Sequence, residues 1–162
     1  MKRILIYLLL FAILGYGLWP YYTVFRLDNA LAERDPKAIA PYVDLAAIRA
    51  HYKERLGGAV DAFTPRDNSD GERVIDWLAK NLRQLGDSAL DQAITLEWVR
   101  NMLVDAASRA AGGGTARFMA GIDFAFFESW DRFVIRLGKL GNATHVVLRL
   151  EGAEWRVTDV VR

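Results

Sequence analysis

The hydrophobic pattern divides the chain into an apolar run, a helical region and an alternating region. The apolar run, Ile4–Phe25, contains no charged residue, and Lys2 and Arg3 stand before it. A helix over this run would be roughly 33 Å long, which exceeds the about 30 Å thickness of a bilayer hydrocarbon core. The run therefore predicts a membrane-spanning helix. Apolar residues at helical spacing predict that the same helix continues through Tyr22–Arg34 outside the membrane.

Residues 27–111 keep the spacing of amphipathic helices, interrupted by turn-forming residues. The predicted helices cover residues 45–56, 72–85 and 90–110. Asp35 and Asp44 stand where a side-chain oxygen would cap the first turn of a helix, and Thr95 marks a break in the last one. The triple glycine Gly112–Gly114 ends the helical region.

From residue 122 to residue 162 the apolar residues recur at every second position, which is the period of a strand. The predicted strands cover residues 123–128, 132–137, 144–151 and 154–161. Short turns between them predict an antiparallel meander with one face on a core and the other in water. In the last strand the alternation places Trp155, Val157 and Asp159 on the inward face. Helices followed by a sheet of three or four strands indicate the α+β class.

The apolar run has two main interpretations, a retained anchor and a cleaved secretory signal, with a buried helix of a soluble protein as the third. A basic start followed by an apolar stretch fits both of the first two. Gly15-Tyr16-Gly17 has the small-x-small pattern of a cleavage site, but bulky Leu18-Trp19-Pro20 follow it directly. Aromatic residues at the end of the run are typical of the interfacial belt of an anchor. The sequence therefore favours a signal-anchor over residues 1–26 and one domain over residues 27–162.

Composition narrows the function classes. The 162 residues carry a formal net charge of +1, so the chain lacks the basic excess that nucleic-acid binding proteins usually show. The absence of cysteine excludes disulfides, a lipoprotein anchor, thiol catalysis and cysteine-ligated metal. No cofactor motif is present, because Gly112–Gly114 lacks the Lys-Ser/Thr of a phosphate loop.

Two stretches of the chain resemble a known family. The first runs from Trp19-Pro20-Tyr21-Tyr22-Thr23 through Tyr42-Val43-Asp44 to Arg49, and the second from Asp131-Arg132-Phe133-Val134 to Trp155-Arg156-Val157-Thr158-Asp159. Together they are similar to a bacterial family of short membrane-anchored proteins of unknown function (domain of unknown function 2939). The resemblance implies an envelope protein and carries over no catalytic residue. The order of helices and sheet is also similar to cystatin-like and nuclear-transport-factor-like cones, which is an analogy of fold alone.

Candidate catalytic and metal-binding residues are sparse. His51 and His145 are the only histidines, and neither belongs to a His-x-x-x-His or Glu-x-x-His pattern. The serines lack the sequence context of a nucleophile elbow. We therefore expect no metal site, no catalytic residue and no enzymatic activity.

A few polar residues are expected to have structural roles. Asp35 and Asp44 are the predicted helix caps. Asp159, in its inward strand position, requires a cationic partner because an unpaired buried carboxylate is costly. Arg49 and Arg132 are the predicted candidates for that partner.

Two surfaces remain as candidate binding sites. The outward positions of the strands are basic: Arg132, Arg136, His145, Arg149 and Arg156. Such a face would bind lipid headgroups, a wall polymer or an acidic protein, unless it is an ordinary solvated surface with cross-strand pairs. Aromatic residues between helices and sheet would line an apolar pocket, unless they form an ordinary core. They are Trp77, Trp98, Phe124, Phe126, Phe133 and Trp155.

These features predict a single-pass protein of the bacterial inner membrane, with its N-terminus in the cytoplasm and its C-terminal domain in the periplasm. The leading hypothesis of function is a non-catalytic binding or interaction module whose partner is an envelope protein, a lipid or a wall polymer. The alternative is a carrier or sensor of a small apolar ligand in the pocket. An enzyme ranks third.

Overall fold

The computed structural model describes residues 2–58, 87–114 and 117–161. The helices among them are α1 (Lys2–Ala32), a 3-10 helix (Pro36–Tyr42), α2 (Leu45–Gly58), α3 (Asp87–Ala93), α4 (Leu96–Ala110) and a second 3-10 helix (Phe118–Gly121). The strands are β1 (Ile122–Ser129), β2 (Arg132–Leu137), β3 (Thr144–Glu151) and β4 (Glu154–Val161). This order confirms the α+β class. The helix predicted over residues 72–85, and with it Trp77, lies outside the described residues.

Helix α1 belongs both to the apolar run and to the domain. It is unbroken over Lys2–Ala32, so its predicted continuation beyond the apolar run is confirmed. Residues 3–15 are all exposed, whereas Val24, Leu27 and Leu31 are buried in the core. By length and hydropathy α1 can cross a membrane, a test that a signal sequence also passes.

The four strands form one antiparallel sheet in the order β1-β2-β3-β4, which confirms the predicted meander. On its inner face Phe133, Leu148 and Val157 are fully buried, whereas Phe127, opposite Phe133, is 36% exposed. The three buried residues join the buried faces of the helices in one hydrophobic cluster. The helices therefore cover most of the inner face, and the described helices contribute no residue of this cluster to the outer face.

A bulge in β4 reverses the inward and outward positions near the end of the strand. Val157 lies opposite Leu148 and Asp159 opposite Val147, so Thr158 is an extra residue. An extra residue exchanges the two faces for everything that follows it. Val160 is consequently buried, and the predicted inward position of Asp159 is wrong.

Two aspartates cap helices, as predicted. Asp35 accepts a hydrogen bond from the backbone N–H of Lys37 at 2.9 Å, and Asp44 accepts one from Ala47 at 3.0 Å. The backbone N–H of Asp44 also donates to the carbonyl of Val157 at 2.9 Å. This cap therefore fixes the start of α2 against the β4 edge of the sheet.

Candidate functional site

The basic residues of the strands do share the outer face of the sheet. Arg132 lies opposite Arg149, and Arg149 lies opposite Arg156. Arg136 lies opposite His145 on the same face. Because directly opposite side chains stand about 5 Å apart at their Cβ atoms, Arg132, Arg149 and Arg156 form a row across three strands, here called the arginine row.

Each arginine of the outer face has a carboxylate partner. The pairs are Arg132 with Glu128 at 2.8 Å, Arg136 with Asp123 at 2.6 Å, Arg149 with Asp131 at 3.8 Å and Arg156 with Glu154 at 2.5 Å. The face therefore carries both signs of charge in alternation. These pairs match the alternative given above, a solvated surface with paired charges, and they reduce the basic character of the face.

Hydrogen bonds favour the ionised forms of Asp131 and Arg156. The Ser129 hydroxyl donates to Asp131 at 2.6 Å and, with Arg149 and Arg132 nearby, holds the pKa of that carboxyl below its usual range. The Glu154 carboxylate beside Arg156 raises the pKa of the guanidinium. The mixed-charge character of the face therefore persists at neutral pH.

Glu151 behaves differently from these carboxyls. Burial, followed by the proximity of Asp44, raises the pKa of Glu151 above its usual range. The cause is physical, because a carboxylate loses hydration on burial and is repelled by a second carboxylate. This acid pair lies at the end of β3 where the chain turns into β4.

Two large aromatic side chains lie exposed on the outer face. Phe124 lies opposite Arg136 and Phe126 opposite Val134, and the two phenyl rings are 5.6 Å apart. Phe124 is 53% exposed and Phe126 39%. The prediction that they line a pocket under the helices is wrong, because Asp123 is an extra residue that shifts the strand register.

The remaining described aromatics of the predicted pocket pack in the core. Phe133 and Trp155 are fully buried and meet edge to face at 6.3 Å. Trp98 is buried against the ring of Tyr52 at 5.3 Å. Within the described ranges, the indole N–H groups of Trp98 and Trp155 are buried without a hydrogen-bond partner.

The partner of Asp159 is Arg55, which forms a salt bridge with it from α2. The predicted partners Arg49 and Arg132 are wrong, because the β4 bulge removes Asp159 from the inward face and places it beside Arg55 of α2. Arg49 instead donates to the carbonyl of Ile94 at 3.0 Å and pairs with Asp91 at 3.2 Å, which ties α2 to α3.

Sequence reasoning missed a buried carboxylate on α1. Asp28 is 3% exposed, and its oxygens accept from the Arg117 guanidinium and from the backbone N–H of Met119, both at 3.1 Å. The sequence offered one indication of this burial: Asp28 follows Leu27, which belongs to the apolar stripe of α1 that packs in the core. These contacts connect α1 to residues 117–119, which precede β1.

The part of α1 inside the apolar run also contacts the sheet. The ring of Tyr16 stacks on Phe127 at 6.0 Å and meets Trp155 edge to face at 6.5 Å. Its hydroxyl donates to the carbonyl of Trp130 in the β1–β2 turn. The end of the sheet formed by this turn and by the β3–β4 turn at Gly152 and Ala153 is here called the foot of the sheet.

Comparison with known proteins gives a family without an assigned activity. The sequence profile described as a protein of unknown function (DUF2939) matches residues 9–102. The match includes the first of the two stretches that carry the resemblance and ends before the second. No curated protein and no solved structure matches the chain. Across the described residues, no group of three or more histidine or carboxylate side chains is arranged to hold a metal ion.

Proposed function

Because the chain belongs to the DUF2939 family of proteins of unknown function, we propose a function from its own geometry: a non-catalytic interaction module anchored in a membrane. Helix α1 serves as a retained anchor in the bacterial inner membrane, with Lys2 and Arg3 in the cytoplasm and the domain in the periplasm. The packing of Tyr16 supports retention, since cleavage after Gly17 would remove a side chain that contacts the sheet.

The outer face of the sheet is the binding surface in this proposal. The observation that carries it is the exposed pair Phe124 and Phe126, on the face of the sheet opposite the hydrophobic core. The Arg136 guanidinium lies 5.6 Å from the centre of the Phe124 ring. Aromatic side chains, phenylalanine included, and arginine are enriched at protein–protein interfaces relative to the rest of a protein surface. The partner is therefore an envelope protein that presents apolar side chains surrounded by polar groups of both charges.

A photo-crosslinking amino acid at Phe126, introduced into the full-length chain in cells, tests this proposal. A protein partner gives an adduct of one discrete mass, and Phe124→Ser lowers its yield several-fold because the neighbouring ring is lost. The matched control is the same probe at Leu140, which is 82% exposed in the β2–β3 turn. An absence of adduct at Phe126, or the same adduct from Leu140, would rule out this surface.

A second candidate function is a carrier or sensor of a small apolar ligand. The buried, unpartnered indole N–H groups of Trp98 and Trp155 favour it, because a ligand acceptor would satisfy them. Native mass spectrometry of full-length protein released gently from membranes separates the two functions. A stoichiometric extra mass supports the carrier, and a clean unliganded mass counts against it.

A further inference from the structure

The contacts of α1 fix how far the domain stands from a membrane. Residues 3–15 are exposed, and Tyr16 is the first side chain of α1 that packs on the sheet. The helix free of the domain is therefore roughly 20 Å long at 1.5 Å per residue. A hydrocarbon core is about 30 Å thick, so the free part is about 10 Å short of crossing it.

A spanning α1 must therefore bring the foot of the sheet to the membrane surface. The shortfall is met when the foot enters the headgroup layer and the bilayer thins locally beside it. A tilt of α1 would shorten its reach further and draw the foot deeper. The hydrogen bond from Tyr16 to the Trp130 carbonyl places the β1–β2 turn beside the end of the free part of α1, so this turn is the part of the foot that lies next to the membrane surface.

The side chains of the foot suit the interfacial layer. Trp130 is 73% exposed, so most of its side chain is available for an external contact. Tryptophan is enriched at the membrane–water interface because it combines an apolar ring with a hydrogen-bonding N–H. Gly152 and Ala153, in the neighbouring turn, are small and uncharged. Asp131 is therefore the one charged residue among the four turn residues, Trp130, Asp131, Gly152 and Ala153.

The charges behind the foot match a headgroup that carries both signs. The arginine row lies within three residues of the two turns, and its members are paired with Glu128, Asp131 and Glu154. Arginine binds phosphate, and carboxylates bind ammonium groups. Since the acid pair Glu151 and Asp44 also lies at this end, carboxylates outnumber arginines here and the surface offers no net attraction to an anionic lipid.

From this arrangement we infer that the foot of the sheet is a bilayer-seating surface that binds zwitterionic phospholipid headgroups beside α1. Trp130 supplies the interfacial contact, and the paired charges contact phosphate and ammonium groups. The inference rests on the proposed anchoring of α1, and it concerns the bilayer that α1 crosses. It is independent of the protein partner proposed for Phe124 and Phe126.

Single labels report the depth of each part of the full-length chain, because it has no cysteine of its own. The variants Leu10→Cys, Ala153→Cys and Leu140→Cys carry a fluorophore in phosphatidylethanolamine–phosphatidylcholine vesicles. We expect quenching of Leu10 by lipids brominated in the acyl chain. We expect iodide to quench the Ala153 label several-fold less than the Leu140 label.

The outcomes separate this inference from the proposed anchoring. An Ala153 label as open to iodide as the Leu140 label, with Leu10 quenched by brominated lipid, overturns the seating and leaves the anchor intact. A Leu10 label that brominated lipid does not reach overturns both.

A substitution at Trp130 and a change of lipid test the chemistry of the contact. Trp130→Ser should raise iodide quenching of the Ala153 label several-fold, while Trp130→Phe keeps most of the protection. Phosphatidylglycerol in the vesicles, or added salt, should leave that protection unchanged. No effect of Trp130→Ser, or protection that requires phosphatidylglycerol and disappears in salt, would overturn the inference.

Discussion

The burial of one face of α1 predicts that the domain cannot fold without it. Val24, Leu27 and Leu31 are buried, and full burial of such a side chain contributes about 1.5–3 kcal/mol. Their sum, roughly 5–9 kcal/mol as an upper estimate, is close to the about 5–15 kcal/mol by which a typical domain is stable. Removal of residues 1–34 should therefore unfold the domain, whereas removal of residues 1–15 should leave it folded.

A point substitution makes the same test without a large deletion. In the chain lacking residues 1–15, Leu27→Ala should lower the free energy of unfolding by about 3 kcal/mol, because it empties a fully buried site. At about 2–4 °C per kcal/mol, the melting temperature falls by roughly 6–12 °C. Leu18→Ala is the matched control, since Leu18 is 65% exposed and should shift it little.

Thermal and urea unfolding followed by far-UV circular dichroism measure both comparisons. Equal melting temperatures for the two truncated chains would show that the packing of α1 does not stabilise the domain. Equal effects of Leu27→Ala and Leu18→Ala would lead to the same conclusion.

Three further substitutions test separate contacts. Arg55→Met should cost about 1–2 kcal/mol, less than for a buried pair because Arg55 is partly exposed, and the loss should shrink in the Asp159→Asn background of a double-mutant cycle. The pKa of Glu151 is raised in the folded state, so the free energy of unfolding should fall as the pH rises from the ordinary pKa of 4.5 through the folded pKa, and then level off. Urea unfolding of Glu151→Gln across this pH range should not show the fall. A fall that persists in this variant would come from another group. Gly121→Ala should destabilise by about 2 kcal/mol because its Cβ would stand 2.9 Å from the backbone of α4, whereas Gly17→Ala, in open space, should not; equal melting temperatures would contradict the close approach.

The spacing of apolar residues predicted the helices and strands well, because the residues buried on one face of an element recur with the period of that element. The continuation of α1 into the domain and the break at Thr95 both follow from spacing and capping, and the structure contains both. Thr95 accepts a hydrogen bond from the backbone N–H of Trp98, as the side chain of a helix cap does. The alternation of the last residues likewise predicted four strands in the right order.

The register of the strands could not be predicted because a bulge leaves no mark in the alternation. Asp123 and Thr158 are ordinary strand residues by composition, yet each shifts one strand by a residue. The first shift moved Phe124 to the outer face. The second moved Asp159 away from the core and toward Arg55 of α2. This partner could not be predicted from the strand pattern, because it depends on where α2 packs. The two errors at the candidate site therefore have the same physical origin.

Because α1 is continuous over Lys2–Ala32, it joins the apolar run to the domain without a flexible linker. Strand β3 spans Thr144–Glu151, so the sheet is roughly 26 Å tall at 3.3 Å per residue. In the anchored arrangement proposed above, α1 leaves the domain no flexible tether, so the height of the sheet sets how far the domain would extend from the bilayer. In that arrangement, the protein partner proposed for the outer face would approach along the membrane and would itself lie within the height of the sheet from the bilayer surface.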